Sequence, residues 1–159
     1  MKIRIISVGK LKEPFYSAGV QEYVKRLQPY VKLELLEGLE EKYTAKAGAE
    51  EIKRYLAKEA ERVLKLISED EIIVLLDING QQLDSVQFAG QIQKWQQTGK
   101  ARLNFVIGSA FGLSDLIKEK AAFNLSFSPL TFPHQMAVLI TAEQIYRSFK
   151  IIKREPYHN

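Results

Sequence analysis

Two histidines make up the chain's whole supply of imidazole: His134 in "LTFPHQ" and His158 in "REPYHN". An imidazole titrates near neutrality and can move a proton in a reaction. With no cysteine in the chain, two imidazoles cannot build a structural zinc site, so no metal is expected. A Ser-His-Asp triad lacks support as well, because no G-x-S-x-G elbow occurs. Behind Pro133, His134 is expected to sit in the first turn of a helix and bond locally. His158 stands where chain ends ordinarily fray. Even so, Tyr157 and His158 behind Pro156 supply a stacking ring and a titratable donor. Glu143 and Arg147 are four apart and can pair along a helix, a contact that contributes roughly 0.2–0.5 kcal/mol.

A second group of residues suggests a ligand loop. "GSAFG", residues 108 to 112, follows an apolar run, and Gly108 and Gly112 let the backbone approach a ligand closely. It is neither G-x-G-x-x-G nor a phosphate-binding loop with a Lys-Ser/Thr pair. A plain strand-to-helix turn therefore remains open beside a ligand loop.

These residues need elements to position them. "IRIISV" (3–8), "VKLELLE" (31–37), "IIVLLD" (72–77), "LNFVIG" (103–108) and "FNLSFS" (123–128) read as strands. The continuous apolar runs at 72–77 and 103–108 mark strands covered on both faces. Helical spacing appears at 13–27, at 52–67, after a cap at Ser85, at 114–122, and from Pro133 onward. Residues 38–51 are polar and read as a loop. "INGQQLDS" (78–85) reads as a turn. Strands alternating with helices predict an α/β fold with a parallel sheet and helices on both faces, in a single domain over 1–159. Ligands of such sheets bind beyond the carboxyl ends of the strands. Three strand ends are therefore candidates: Leu76-Asp77, Gly108 to Gly112, and Phe127 to Phe132.

Composition narrows the class. At 159 residues, 46% hydrophobic and 26% charged, the chain can bury a core of its own. No run of about 18 apolar residues occurs, so no membrane span is expected. "MKIRIISVGK" is not a signal peptide, and with no cysteine a cytoplasmic location is expected. The net charge of +4 leans mildly towards a polyanionic partner. From Met136 to Ala142 only Thr141 is polar. A helix apolar on every side is buried on every side, and a second copy of the chain is the simplest cover, which predicts a homodimer.

At "LSFSPLTFPHQ", "EQIYRSFKI" and "PYH", supported by "VGKLKE", "EYVKRL" and the "IG…GLS" loop, the chain resembles a known family. It is similar to the bacterial large-subunit pseudouridine N3-methyltransferases of the SPOUT class, the α/β-knot methyltransferases, over essentially its whole length. The resemblance implies a C-terminal deep trefoil knot, which neither composition nor periodicity reveals. It implies a homodimer binding S-adenosyl-L-methionine at Leu76, Gly108, Phe127, Ser128, Pro129, Leu130, Thr131 and Phe132. It also implies a pseudouridine substrate in large-subunit ribosomal RNA within assembled ribosomes. Tyr157 and His158 would reach the site, including that of the partner, with His158 taking the N3 proton. Arg147, with Lys153 or Arg154, would hold phosphate.

The chain departs from the family pattern at four places. Ser109 replaces the second of two adjacent glycines, Val138 stands where many members carry arginine, Arg154 replaces a common glycine, and Asn159 replaces a terminal basic residue. Two competing readings are a ribosome-assembly factor of the same fold without turnover and an unrelated nucleotide-binding α/β enzyme.

Overall fold

Apolar runs decide where the strands form, and their alternation decides what covers each face. The computed structural model describes residues 1–158; Asn159 lies outside the described residues. Five strands form one parallel sheet: β1 (Lys2–Ser7), β2 (Leu33–Glu37), β3 (Ile72–Gln82), β4 (Arg102–Ile107) and β5 (Phe123–Ser126), in the order β2-β1-β4-β3-β5. Five helices join them: α1 (Pro14–Leu27), α2 (Ala49–Leu64), α3 (Ser85–Gln97), α4 (Asp115–Lys118) and α5 (His134–Ile152).

Successive strand residues point to opposite faces. Ile3, Ile5, Ile72, Val74, Leu103 and Phe105 join Val20, Ile92, Ala142 and Ile145 under α1, α3 and α5. Ile6, Ile73, Leu75 and Val106 join Ala60, Val63 and Ile117 under α2 and α4. Helices therefore cover both faces, as the sequence pattern predicts. Phe105 is fully buried, with Phe88 and Trp95 meeting it edge-on at 5.9 and 6.3 Å. Burying a side chain of this kind contributes roughly 1.5–3 kcal/mol.

Two local expectations change. The cap of α3 is Asp84, not Ser85: Asp84 Oδ1 accepts from the Gln87 backbone N–H at 2.7 Å, and Gln87 Oε1 accepts from the Asp84 N–H at 2.9 Å. This reciprocal pair satisfies two otherwise free donors. Ser85 turns instead to Gln144 of α5, donating at 2.9 Å.

The stretch read as a turn after Asp77 also stays within β3. Leu125 of β5 faces Leu76 and, after a register shift, Gln81. Between these two pairings Asp77 to Gly80 bow out of the ladder, as bulged residues do. Gly80 is required there, because a Cβ would fall 2.7 Å from the backbone of Asn124 and Leu125.

Residues 134–152 form one uninterrupted helix, and Val138, Ala142, Ile145 and Phe149 enter the core. Gln135, in the first turn of α5, accepts from the backbone N–H groups of Lys12 and Glu13, each at 2.9 Å, at the start of α1. No helix among the described residues is long and apolar enough to cross a membrane.

Candidate active site

The carboxyl ends of β3, β4 and β5 lie side by side, and the segments leaving them enclose a pocket of about 600 Å³. That volume is within the range of small-molecule sites. Leu76 to Asn79 of the β3 bulge form one wall. The turn from Gly108 to Leu113 forms a second. Phe127, Ser128, Leu130, Thr131 and Phe132 form the third, and His134 and Ala137 close it from α5. All three strand ends singled out in the sequence thus meet at one place. Of the cofactor positions the resemblance implies, only Pro129 is absent from the lining; it is exposed on the outside of its loop.

Each wall has a local cause. Gly108 has no room for a side chain, since a Cβ would lie 2.4 Å from the Gly112 carbonyl oxygen. Gly112 itself adopts φ 88°, a left-handed conformation that side chains resist, and its N–H donates to the Ser109 carbonyl at 2.9 Å. On the third wall the Ser128 hydroxyl oxygen accepts from the Leu130 N–H at 3.0 Å, and Ser126 donates to the Ser128 carbonyl at 3.2 Å. These local bonds bend the 126–130 segment across the pocket.

Several pocket residues lack an obvious signal in the sequence. Lys118 of α4 pairs with Asp77 at 3.2 Å, which sets opposite charges together at the pocket wall. Ile78 and Asn79 arrive only because β3 bulges. His134 was expected to bond within its own turn. Instead its Nε2 lies 3.2 Å from the Lys10 carbonyl oxygen, pressed so close to Gly9 that a Cβ there would lie 2.6 Å from the ring. The glycine of "SVGK" is the cue that could have revealed this approach.

The tail residues stand elsewhere. Arg147 donates twice to Glu143 Oε1, at 3.0 and 2.6 Å, so the helical pair anticipated from spacing forms. Its guanidinium also lies 4.7 Å from the Tyr157 ring centroid, and Nη1 donates to His158 Nδ1 at 3.2 Å. Tyr157 packs on Tyr146 at 4.9 Å and donates to Glu143 at 3.2 Å. Burial first, then the Tyr23 and Glu143 partners, pushes the Tyr157 pKa up, so its hydroxyl serves as a donor. The hydrogen bonds that Arg147 donates to Glu143 hold it charged, its pKa raised further.

Tyr157, His158 and Arg147 therefore form one cluster, but none of them lines the pocket of its own chain. Ala137 and Arg147 are ten residues apart on α5, about 15 Å along the helix axis. Val138, where many members of the resembled family carry arginine, is fully buried in the core and faces no surface ligand.

The chain is similar to known proteins along its length. The family described as "predicted SPOUT methyltransferase" matches residues 1–158. A protein of Syntrophomonas wolfei named ribosomal RNA large subunit methyltransferase H is 55% identical over 158 residues, 99% of each chain. One of the same name from Enterococcus faecalis is 44% identical over the same share of both chains. A putative one from Methanoregula boonei is 48% identical, again over 99% of each chain. Among solved structures, a probable methylase family protein from Haemophilus influenzae shares the fold, with a TM-score of 0.54 at 14% identity over 99% of this chain and 70% of that one. A pocket at the strand ends, a glycine turn that tolerates no side chain and a match over residues 1–158 agree on one assignment: the chain belongs to the SPOUT methyltransferase family.

Proposed function

We propose that this protein is an S-adenosylmethionine-dependent methyltransferase of large-subunit ribosomal RNA, and that its target atom is N3 of a pseudouridine in the assembled ribosome. The observation that carries the reading is the pocket itself, where three separate loops converge on one cavity in a chain of this family. The names of the relatives support ribosomal RNA as the substrate class. They do not favour an unrelated nucleotide-binding enzyme or an assembly factor without turnover.

The residues present fit the cofactor. Leu76, Ile107, Leu125 and Phe127 offer apolar surface for an adenine ring, and the turn at Gly108 lets the backbone come near. The Asp77–Lys118 pair matches in sign the ammonium and carboxylate of a methionyl group. Ser128, Leu130, Thr131 and Phe132 would hold the cofactor from the third loop. Pro129 would act by shaping that loop rather than by contact. When bound, the cofactor supplies a methyl group on a positively charged sulfur.

The chain's own task is then to position the base and remove its N3 proton. N3 lies on the pairing edge, so the base must be unpaired to react. His158 is the proposed proton acceptor, Tyr157 the proposed stacking and donating group, and Arg147 the proposed phosphate contact. In one chain His158 Nδ1 faces Arg147, so accepting a proton there requires the ring to leave that contact. About 15 Å of helix separates this cluster from the pocket of the same chain. We therefore assign the cluster to the pocket of a second copy, so that the working unit is a homodimer with composite sites. A C-terminal knot is consistent with β5 lying at one sheet edge while α5 packs over β1 and β4 in the middle.

The test uses ribosomes from cells lacking this gene. Purified protein and S-adenosylmethionine should add one methyl group to a pseudouridine of the large-subunit RNA, read by mass spectrometry of its nucleosides. Incorporation on another base, or none, would overturn the assignment.

A further inference from the structure

A carboxylate outside the pocket governs one of its walls. Glu59, on α2, is 2% exposed, and its partners are hydrogen-bond donors. Its Oε1 accepts from the Glu41 backbone N–H at 3.0 Å and from the Tyr43 hydroxyl at 2.7 Å. Its Oε2 accepts from the Ser109 hydroxyl at 3.0 Å, and the Tyr43 and Ser109 oxygens lie 2.8 Å apart. Ser109 belongs to the glycine turn of the pocket, while Tyr43 belongs to the segment between β2 and α2. The Tyr43 ring packs against Phe111 at 4.6 Å and meets Tyr55 edge-on at 5.2 Å. Burial and then Glu59 push the Tyr43 pKa up, so its hydroxyl keeps its hydrogen.

We propose that Glu59 is a positioning residue for the cofactor pocket: through Ser109 and Tyr43 it holds the 108–112 turn in its pocket-forming shape and ties the 39–47 segment to pocket occupancy. The inference rests on the reading of this pocket as the cofactor site. Three features carry it. A buried carboxylate is costly unless its oxygens are satisfied, and here the donors come from two segments distant in sequence, which also meet where the Tyr43 ring packs on Phe111. The turn it holds is already tight where Gly108 lies against the Gly112 carbonyl, so small displacements would close or open the wall. Serine, rather than a second glycine, gives the turn a side chain that can reach Glu59. Coupling of this kind is reciprocal: if the segment supports the pocket, an occupied pocket must order the segment.

The experiment titrates the full-length protein with S-adenosylhomocysteine, the demethylated product, by calorimetry. Hydrogen exchange at 39–47 is followed in parallel, with and without that ligand. Wild type should bind and gain protection in the segment. Glu59→Gln should bind within about twofold of wild type, because an amide can donate to Ser109 while still accepting from Tyr43 and Glu41. Glu59→Leu keeps the bulk without the acceptors, and affinity should fall about tenfold with the protection gone. Ser109→Ala should weaken binding about fivefold and also lower the melting temperature, because Glu59 Oε2 loses its donor.

A role in packing alone would instead lower the melting temperature of Glu59→Leu and leave affinity and protection at wild-type values. That result overturns the proposal. Should Glu59→Leu fail to fold, Ser109→Ala and Tyr43→Phe decide by the same two readouts. Product that fails to bind wild type would overturn the cofactor reading, and this inference with it.

Discussion

The pocket and the tail cluster are built in opposite ways. The pocket is shaped by backbone: strand ends, a bulge, a glycine turn with no space for a Cβ, and hydroxyl-bonded bends. The tail cluster is shaped by side chains, a stack of aromatic rings and charge pairs on one half of α5. The first holds its form within one chain. The second is assembled near the surface and lines no part of that chain's pocket. A backbone site suits a ligand that is always the same molecule. A side-chain cluster suits delivery to a larger partner.

Changes confined to one region should therefore leave the other intact. Gly108→Val should have the largest effect. A branched side chain cannot fit where even a Cβ meets the Gly112 carbonyl at 2.4 Å, and cofactor binding should be lost in calorimetry while the sedimentation behaviour stays that of wild type. Undiminished binding would move the site away from this turn.

Next comes Ile140→Glu, which places a charge on the half-buried apolar stretch of α5. An unpaired charge in an interface is strongly unfavourable. Sedimentation should show monomers at micromolar concentration, with cofactor binding reduced less than methyl transfer. A wild type that is itself monomeric would sink the composite site.

His158→Ala should lower methyl transfer to ribosomes by at least about tenfold, since proton-transfer groups typically contribute ~10²–10⁴-fold. Cofactor affinity should not change. Full activity in this variant would leave the tail with positioning through Tyr157 only.

The smallest effect concerns how the tail is pinned. Lys150 bonds Glu155 at 2.6 Å, and the Tyr30 hydroxyl donates to the same carboxylate. Lys150 first, then Tyr30, holds the Glu155 pKa below its ordinary 4.5. A lowered carboxylate pKa stabilises the folded arrangement above that ordinary value, and the benefit is lost as pH falls through the folded value. Tyr157 resonances should accordingly keep their positions down to about pH 4.5 and broaden only in more acidic solution, well before global unfolding. Glu155→Gln should produce the same broadening at neutral pH. A tail equally mobile at every pH would show that this pair holds nothing.

The contrast also explains what could be read in advance. Parallel strands covered on both faces must be continuous apolar runs, so "IIVLLD" and "LNFVIG" announced β3 and β4, and with them the place where a ligand must sit. The 123–128 segment was legible as a more polar strand, and Gly108 as a residue without a Cβ at a strand end. The bulge did not, because Asn79-Gly80 reads as a turn in any sequence, and only the double pairing of Leu125 shows that the ladder resumes. Glu59 was hidden for a different reason. On a helix rich in charged residues it looks like one more solvated group, and its burial depends on Tyr43 and Ser109 arriving from distant parts of the chain. The direction of the tail depends on contacts with α5 that no local pattern encodes, so Tyr157 and His158 could be named but not placed.

The position of α5 also matters for how the protein is made. It follows every strand and every other helix in the chain, yet none of its residues is left exposed, and it supplies Val138, Ala142, Ile145 and Phe149 to the core beside Ile5 and Phe105. During synthesis, some 130 residues must therefore leave the ribosome with the part of that face under α5 still open, a species prone to aggregation. A message broken ahead of the α5 codons would yield a sheet without its central cover. The cell would meet that product as a client for chaperones and proteases, however sound the strands already made.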